Sequence, residues 1–213
     1  MALTKTSLAQ LCRRLGIAAG PVRLLELGGG QSTLFWRTLL GNGLLDAEVT
    51  TLEHHVEWAA ELGRRVAGEA RIRVVPQTLK QITDDEWRRL FGNPPEAASA
   101  WSSVGTPVPE SDYGRFTIRN TFYGEADRLG LPEESIDALI VDGPHGNGRS
   151  LAFPLLCRQL KPDALVLVDD FDHYPFLDDL ERVFRFEELY REVIGDKRSV
   201  LLRLQGMAAQ PRA

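Results

Sequence analysis

Residues 137–170 read DALIVDGPHGNGRSLAFPLLCRQLKPDALVLVDD, and this segment decides the fold of the chain. Its two apolar runs, ALIV and ALVLV, are short and rich in branched residues, and a helix-length stretch separates them. Such a pattern predicts two buried parallel strands joined by a crossover helix. The first run ends at Asp142, and the second ends at Asp169 and Asp170. Because parallel strands place their carboxyl ends at one edge of a sheet, where open α/β folds bind ligands, we expect the three acids to face one crevice.

The rest of the chain repeats this alternation of strand and helix. Further strands are predicted at 23–27, 48–52, 71–75, 190–194 and 199–204, and helices at about 8–15, 32–40, 56–66, 149–160 and 174–186. Because right-handed crossovers put helices on both faces of a parallel sheet, the pattern predicts an α/β, Rossmann-like doubly wound sheet. Residues 195–198 are too few for a crossover, so the last two strands should form an antiparallel hairpin. We therefore expect six parallel strands plus one antiparallel edge strand, with helices on both faces.

Residues 84–123 interrupt the alternation. This segment contains four prolines and the isolated aromatics Trp87, Trp101 and Tyr113, and its last part, 115–123, has the composition of a strand. It is too long for an ordinary connection, so it is expected to be a lid that covers the substrate; a disordered insertion is the alternative. Residues 1–213 as a whole should form a single domain that carries this insertion.

Composition and charge restrict the class of protein. With 43% hydrophobic and 26% charged residues, the chain has the composition of a soluble globular protein. Its net charge of −5 argues against nucleic acid as the main partner. The two cysteines, Cys12 and Cys157, indicate neither a disulfide framework nor a thiolate metal site. Because there is no membrane-length apolar run and no signal-peptide pattern, we expect a cytoplasmic protein with a small-molecule substrate and no membrane partner. The sequence leaves the oligomeric state open, a homo-oligomer included.

The first candidate binding motif is residues 24–33, LLELGGGQST. A strand that ends in glycines and leads into a helix lets a ligand approach the backbone closely and meet the free N–H groups at the helix start. Thr33 stands where dinucleotide-binding proteins usually have a third glycine, which weakens a pyrophosphate interpretation. A carboxylate as near as Glu26 favours an ammonium group or hydroxyls over a phosphate. A plain glycine turn in an α/β protein is the alternative.

The segment from Glu26 to Gly30 resembles motif I of class I S-adenosylmethionine-dependent methyltransferases, in which an acid precedes the glycines. Glu53 ends the second predicted strand, where such enzymes place an acid that accepts hydrogen bonds from both ribose hydroxyls. A solvated strand end is the alternative for Glu53, and either His54 or His55 is expected over the adenine or at the surface. The resemblance implies S-adenosylmethionine as the cofactor, bound by Glu26, Gly28, Gly29, Gly30, Ser32, Glu53, His54 and Asp142.

The most specific signal is the set of three acids. Asp169 follows Asp142 by 27 residues, and Asp170 comes next. Unpaired, these acids would repel one another, so the site needs a cation or a row of donors, and Mg²⁺ takes such oxygen ligands. The pattern resembles the metal-dependent O-methyltransferases of the catechol type and the macrocin-type sugar enzymes, which implies Asp142, Asp169 and Asp170 as Mg²⁺ ligands. In the alternative, no metal is bound and Asp170 is the N-cap of the next helix.

The catalytic base is expected to be a histidine. Catechol-type enzymes have a lysine three positions after the first metal-binding Asp, and His145 stands there in this chain. His145 or His173 would take a proton from a substrate hydroxyl, unless each is only a loop histidine. Arg149 either binds an acidic group of the substrate or pairs with a neighbouring acid. With Asp142, the two histidines are the predicted catalytic residues.

These observations predict a Mg²⁺-assisted methyl transfer from S-adenosylmethionine to a small-molecule hydroxyl, in which the metal acts as Lewis acid and template. A metal-independent small-molecule methyltransferase is one alternative. A nicotinamide-dependent oxidoreductase is a second, and a non-catalytic S-adenosylmethionine-binding domain is a third.

Overall fold

The computed structural model describes residues 3–16, 20–115 and 118–209. Within these ranges the strands are β1 (Val22–Leu27), β2 (Ala47–Glu53), β3 (Ile72–Pro76), β4 (Leu79–Gln81), β5 (Thr106–Pro107), β6 (Thr121–Tyr123), β7 (Ile136–Val141), β8 (Leu160–Asp169), β9 (Phe184–Ile194) and β10 (Lys197–Met207). The α-helices are α1 (Lys5–Leu15), α2 (Gln31–Gly41), α3 (Val56–Val66), α4 (Asp84–Gly92), α5 (Pro94–Trp101), α6 (Ala152–Leu155) and α7 (Phe176–Glu181).

The central sheet has seven strands in the order β3-β2-β1-β7-β8-β10-β9. The first five pair in parallel, and β10 runs antiparallel to both β8 and β9. This confirms the predicted doubly wound α/β sheet with six parallel strands and one reversed strand. The predicted edge position of the reversed strand is wrong, because β10 lies between β8 and β9. The tight turn at Gly195 folds β10 back along β9, and the other side of β10 fills the hydrogen-bonding edge of β8.

The sheet separates two hydrophobic cores. On one face, α1, α2 and α3 pack against strand residues such as Leu24, Val49 and Ala138. On the other face, α4 to α7 pack against the alternate residues, among them Leu25 and Leu139. Successive residues of a strand point to opposite faces, so both faces of these strands are apolar. The predicted helices on both faces are therefore confirmed.

The segment 84–123 forms regular structure over its described part. It contributes α4, α5 and two strands of a small sheet, in which β4 pairs antiparallel with β5 and β6. Trp101 is fully buried, and its indole N–H donates to the carbonyl oxygens of Tyr123 and Gly124 at 3.1 Å each. Of the strand predicted at 115–123, β6 covers the last three residues, and residues 116 and 117 lie outside the described ranges. The role of this segment as a lid stays a prediction.

A side-chain hydrogen bond and a proline determine where two of the helices begin. The Thr4 hydroxyl accepts a hydrogen bond from the N–H of Ser7 at the start of α1, which stabilises such a helix by about 1 kcal/mol. The single helix predicted at 149–160 is instead a 3₁₀ helix, Asn147–Leu151, followed by the short α6. Pro154 lacks the N–H that an α-helix would bond to Ser150, so α6 does not extend backwards. None of the helices in the described ranges is long and apolar enough to cross a membrane.

Candidate functional site

The glycine turn after β1 packs directly against the loop after β7. Gly28 has a backbone φ of +89°, which favours glycine, and its N–H donates to the carbonyl oxygen of Leu52 at 2.9 Å. A Cβ on Gly28 would lie 3.0 Å from the backbone of Asp142, and a Cβ on Gly143 would lie 2.9 Å from the Cα of Gly28. The ends of β1 and β7 can approach this closely because both residues lack side chains.

The other two glycines of the turn have different surroundings. A Cβ on Gly29 would lie 2.6 Å from the Leu62 side chain and 2.9 Å from that of Thr51, so Gly29 allows α3 to pack closely on the turn. Gly30 has no heavy atom within 4 Å of the position that a Cβ would take. Because α2 begins one residue later, this open side lies beside the free N–H groups of a helix start. Gly30 is therefore where a ligand can reach the turn.

Glu26 lies behind the turn, in the protein interior. It is fully buried and accepts hydrogen bonds from the hydroxyls of Thr33 (2.6 Å) and Thr51 (2.7 Å) and from the indole N–H of Trp36 (3.2 Å). Burial raises the pKa of Glu26, and these hydrogen bonds, with one from Ser32, oppose that shift. Glu26 and Ser32 thus brace the turn from inside, which corrects the predicted direct contact of these two side chains with a cofactor. A ligand in the crevice would meet the turn's backbone instead.

Glu53 joins the end of β2 to the glycine turn. Glu53 is buried, with 3% of the residue exposed. Its Oε2 accepts a hydrogen bond from the N–H of Gly29 and its Oε1 accepts one from the N–H of His55, each at 2.9 Å. The alternative of a solvated strand end is therefore wrong. A carboxylate has about four lone-pair directions, so two backbone donors leave capacity for further hydrogen bonds.

His54 lies beside Glu53 in an aromatic cluster. Its ring centroid is 4.2 Å from that of His55 and 5.6 Å from that of Tyr113. The Nδ1 atom is 3.3 Å from Oε1 of Glu53 but makes no hydrogen bond to any described residue. Burial, with repulsion from His55 and His145, lowers the pKa of His54 from 6.5 to about 4. His54 is therefore a neutral imidazole at pH 7, next to the carboxylate that ends β2.

Two of the three predicted metal ligands form a pair. Val141 of β7 is in register with Val168 of β8, so Asp142 and Asp169 are lateral neighbours at the ends of parallel strands. The two carboxyl groups lie close enough that each shifts the pKa of the other. Burial, the largest cause, raises the pKa of both groups, and Asp169 raises that of Asp142 further. We refer to Asp142 and Asp169 as the acid pair.

A buried arginine accompanies the acid pair. Arg149 is 6% exposed, its Nε–H donates to the carbonyl oxygen of Pro144 at 2.9 Å, and Nη1–H donates to that of Asp169 at 3.3 Å. The positive guanidinium acts to lower the pKa of both carboxyl groups, against the effect of burial. Arg149 thus places a positive charge near the acid pair, but its two hydrogen bonds go to backbone carbonyl oxygens, so its pairing with a neighbouring carboxylate stays a prediction.

Asp170 does not join the acid pair. Its backbone φ is +51°, and its side-chain Oδ2 is 3.7 Å from Nδ1 of His173. Within residues 3–16, 20–115 and 118–209, no group of three or more His, Cys, Asp or Glu side chains is arranged to hold a metal ion. The predicted Mg²⁺ site on Asp142, Asp169 and Asp170 is therefore not supported. The helix-cap alternative for Asp170 is also wrong, because Pro175 holds the cap position of α7.

The two candidate histidine bases line one cavity of about 600 Å³, which we call the histidine cavity. Its wall contains His145, Arg149, Asp170, His173, Tyr174 and Phe176. Burial is the main cause that lowers the pKa of His145, and Arg149 adds to it. The Arg149 guanidinium lies 5.9 Å from the centre of the Phe176 ring. Because Arg149 also adjoins the acid pair, the structure places the pair next to this cavity.

Sequence reasoning missed Tyr123. This tyrosine is fully buried, its hydroxyl donates to the carbonyl oxygen of Leu52 at 3.3 Å, and the hydroxyl lies 2.9 Å from the position of a Cβ on Gly143. Burial raises its pKa well above the ordinary value, and the neighbouring Glu53 adds to that rise. The aromatic pair at the end of the insertion was the available signal. The position of Tyr123 over the edge of the sheet depends on the path that residues 84–123 take. Hydrophobic periodicity does not predict that path.

Solved structures with a similar fold include cofactor-bound Rv0187 from MTB. It is 16% identical, the match covers 97% of this chain and 83% of that chain, and the TM-score is 0.52. The shared feature is the fold. A SAM-dependent methyltransferase from Aquifex aeolicus matches at 11% identity over 92% of this chain and 88% of that chain, with a TM-score of 0.49. A predicted O-methyltransferase, protein Atu636 from Agrobacterium tumefaciens, matches at 14% identity over 92% and 79%, with a TM-score of 0.49.

The sequence matches no protein-family profile and no curated protein.

Proposed function

We propose that this chain binds S-adenosylmethionine at the glycine turn and transfers its methyl group to a hydroxyl of a small molecule. One observation carries this proposal: the turn at Gly28 to Gly30 is bonded to Glu53 on one side and packed against Asp142 and Gly143 on the other. The glycine turn, the acid that ends β2 and the acid that follows β7 therefore lie together at the carboxyl ends of adjacent strands, where open α/β sheets bind ligands. These are the three features expected of a methyl-donor site.

The residues present fit the donor. Gly30 leaves open space beside the start of α2, and Glu53 keeps acceptor capacity for the two ribose hydroxyls. His54 lies beside Glu53 as a flat, neutral ring that can contact the adenine. When bound, the cofactor supplies an electrophilic methyl group, and the protein's task is to align an acceptor oxygen with it.

The histidine cavity is the proposed acceptor site. His145 and His173 both line it, and each can accept the proton that the acceptor hydroxyl loses. The lowered pKa of His145 keeps it neutral, and therefore able to accept a proton, at pH 7. Tyr174 and Phe176 provide apolar wall for the body of a small molecule. The acid pair with Arg149 fixes the ends of β7 and β8 beneath the cavity.

Arg149 favours a metal-independent form of this reaction. The buried guanidinium acts to lower the pKa of both carboxyl groups of the acid pair, as a cation at this site would, and the Asp170 side chain lies near His173. We therefore assign no step to Mg²⁺.

A calorimetric titration with S-adenosylhomocysteine, the product of methyl donation, tests the donor site. We expect saturable binding that is the same with Mg²⁺ and with a chelator, and no binding of NAD. Absence of binding would overturn the proposal, and a requirement for Mg²⁺ would restore the metal site.

Transfer of an isotopically labelled methyl group to a panel of hydroxylated small molecules then separates an enzyme from a non-catalytic binding domain. We expect transfer to at least one hydroxyl compound, and its loss in a His145→Gln, His173→Gln double variant that still binds S-adenosylhomocysteine. Binding without transfer to any compound would favour the non-catalytic alternative.

A further inference from the structure

A cleft of about 500 Å³ opens at the other end of the strands from the glycine turn. Its floor is the amino-terminal part of β1, β2 and β3, and the loop 129–132 forms a wall. Leu25 of the floor precedes Gly28 by three residues, which is roughly 10 Å along a strand. The cleft contains no residue of the proposed donor site or of the histidine cavity.

The cleft exists because no helix in the described part of the chain covers this part of the sheet. Leu25, Thr50 and Arg73 are lateral neighbours in the registers of β1, β2 and β3, and they lie on the face that α4 to α7 cover elsewhere. Here the covering segment is the loop with Leu129 and Leu131, both of which line the cleft. The wall formed by Leu129 and Leu131 is therefore apolar, whereas the floor, which includes Thr50 and Arg73, is partly polar.

One positive charge in the cleft is uncompensated. Arg23 pairs with Glu48 at 2.9 Å, and Arg71 pairs with Glu69 at 2.7 Å. Arg73 is exposed, and within the described ranges its side chain makes no hydrogen bond or ion pair, nor does that of its neighbour Thr50. The cleft therefore presents a guanidinium and a neighbouring hydroxyl that are both available to an anionic ligand, on a chain whose net charge is −5.

We propose that this cleft is a binding site for a small organic anion, a carboxylate attached to an apolar body. The carboxylate pairs with the Arg73 guanidinium and accepts a hydrogen bond from the Thr50 hydroxyl. The apolar body lies against Leu25, Leu129 and Leu131. The volume suits one small molecule, and a single free cation is too little for a polyanion, whose binding requires several phosphate contacts.

Octanoate is a suitable probe because it combines both features. Octanol has the same apolar body without the charge, and acetate has the charge without the body. Titrations followed by calorimetry, on the full chain, should show saturable binding of octanoate and none of octanol or acetate at equal millimolar concentrations. Arg73→Gln should weaken octanoate binding by roughly tenfold or more, since hydrogen bonds to charged groups contribute about 1.5–3 kcal/mol.

Arg64→Gln is the matched control. Arg64 lies on α3, whose apolar residues pack on the other face of the sheet, and it pairs with Glu61 at 2.6 Å. We expect its octanoate affinity to equal that of the unmodified chain, whereas Thr50→Val should weaken binding severalfold. Equal octanoate binding in Arg73→Gln, equal binding of octanol, or no binding of octanoate would each overturn the proposal. The octanoate titrations do not depend on the proposed donor site, because the cleft shares no residue with it. S-adenosylhomocysteine affinity can be measured separately in every variant.

Discussion

The N–H of Gly29 donates a hydrogen bond of 2.9 Å to Oε2 of Glu53, so the carboxylate that ends β2 fixes the glycine turn that ends β1. Substitution Glu53→Gln replaces one acceptor oxygen with an amide that donates. We predict that S-adenosylhomocysteine affinity falls about 10-fold to 100-fold, because a charge-assisted hydrogen bond and the position of the turn are both lost. Isothermal titration measures this change.

Glu48→Gln is the control for that variant. Glu48 is an exposed carboxylate at the opposite end of the same strand, paired with Arg23. Its removal should leave donor affinity unchanged. A loss as large as that of Glu53→Gln would show that net charge, and not the bond to Gly29, decides binding.

Because Gly28 and Gly143 are in close contact, alanine at position 143 should reduce stability more than alanine at the open position of Gly30. Gly143→Ala places a Cβ 2.9 Å from both the Cα of Gly28 and the hydroxyl of Tyr123. We expect a loss of roughly 1–3 kcal/mol in the free energy of unfolding, typical of overpacking. Gly30→Ala meets nothing within 4 Å, so it should lose less stability than Gly143→Ala, only what alanine costs at the N-cap of α2, while donor affinity falls because the new methyl group fills ligand space. Urea titrations of both variants give the comparison, and equal stabilities would contradict it.

Removal of Arg149 should destabilise the protein. In Arg149→Met the acid pair loses its buried cation while the side-chain volume is approximately kept. We predict a decrease of roughly 1–3 kcal/mol in the free energy of unfolding, because the buried carbonyl oxygens of Pro144 and Asp169 lose their donor and the acid pair loses a nearby positive charge. Arg158→Met, at an exposed pair with Glu133, should cost less than about 1 kcal/mol. Restoration of the Arg149→Met stability by Mg²⁺, but not by NaCl at equal ionic strength, would indicate that a metal can replace the guanidinium.

The buried imidazole of His54 predicts a loss of stability in acid. Its pKa of about 4 lies below the ordinary 6.5, so between these values the unfolded chain binds a proton that the folded chain does not. Stability therefore falls as the pH drops from about 6.5 through 4, by up to about 3 kcal/mol from this group. The charged and titratable groups around it are Glu53, His55 and His145.

His54→Phe tests that assignment, because it keeps an aromatic ring and removes the titration. Chemical unfolding at several pH values should give a shallower dependence for this variant than for the unmodified chain. Identical slopes in the two proteins would contradict the prediction.

Hydrogen bonds from side-chain hydroxyls should hold α1 against the hairpin of β9 and β10. Oε2 of the buried Glu192 accepts hydrogen bonds from Thr4 (2.9 Å), Ser7 (3.0 Å) and Tyr190 (3.0 Å), and the Ser7 and Ser199 hydroxyls are 2.6 Å apart. We predict that Ser7→Ala reduces stability by about 1–2 kcal/mol and speeds amide hydrogen exchange in α1. Ser103→Ala, which removes an exposed hydroxyl, should change neither quantity.

The parts of the fold that sequence could predict are those that local pattern controls. The runs that end at Asp142 and Asp169 are apolar, short and rich in branched residues, and this length and composition identify them as buried strands. Register then brings the two acids together, as predicted. The hairpin of β9 and β10 was also predictable from the short connection, but that connection permits either strand to pair with β8. The choice depends on packing across the sheet, which leaves no mark on local sequence.

The roles of individual side chains were less predictable. Glu26 fits a ligand-facing motif, yet three donors from other elements enclose it. Arg149 follows a glycine-rich loop, and only the 3₁₀ helix Asn147–Leu151 turns its guanidinium inward to the acid pair. Both facts depend on contacts between different elements of the fold, which a local sequence pattern does not show.

The position of β10 has a consequence for synthesis on the ribosome. Ser199 of β10 is in register with Asp169, and the N–H of Asp170 donates to the carbonyl oxygen of Arg198. A nascent chain that has emerged only as far as β9 lacks the strand that fixes these acids. The wall of the histidine cavity can therefore be completed only after translation has passed β10, so vectorial folding would form the glycine turn before the histidine cavity.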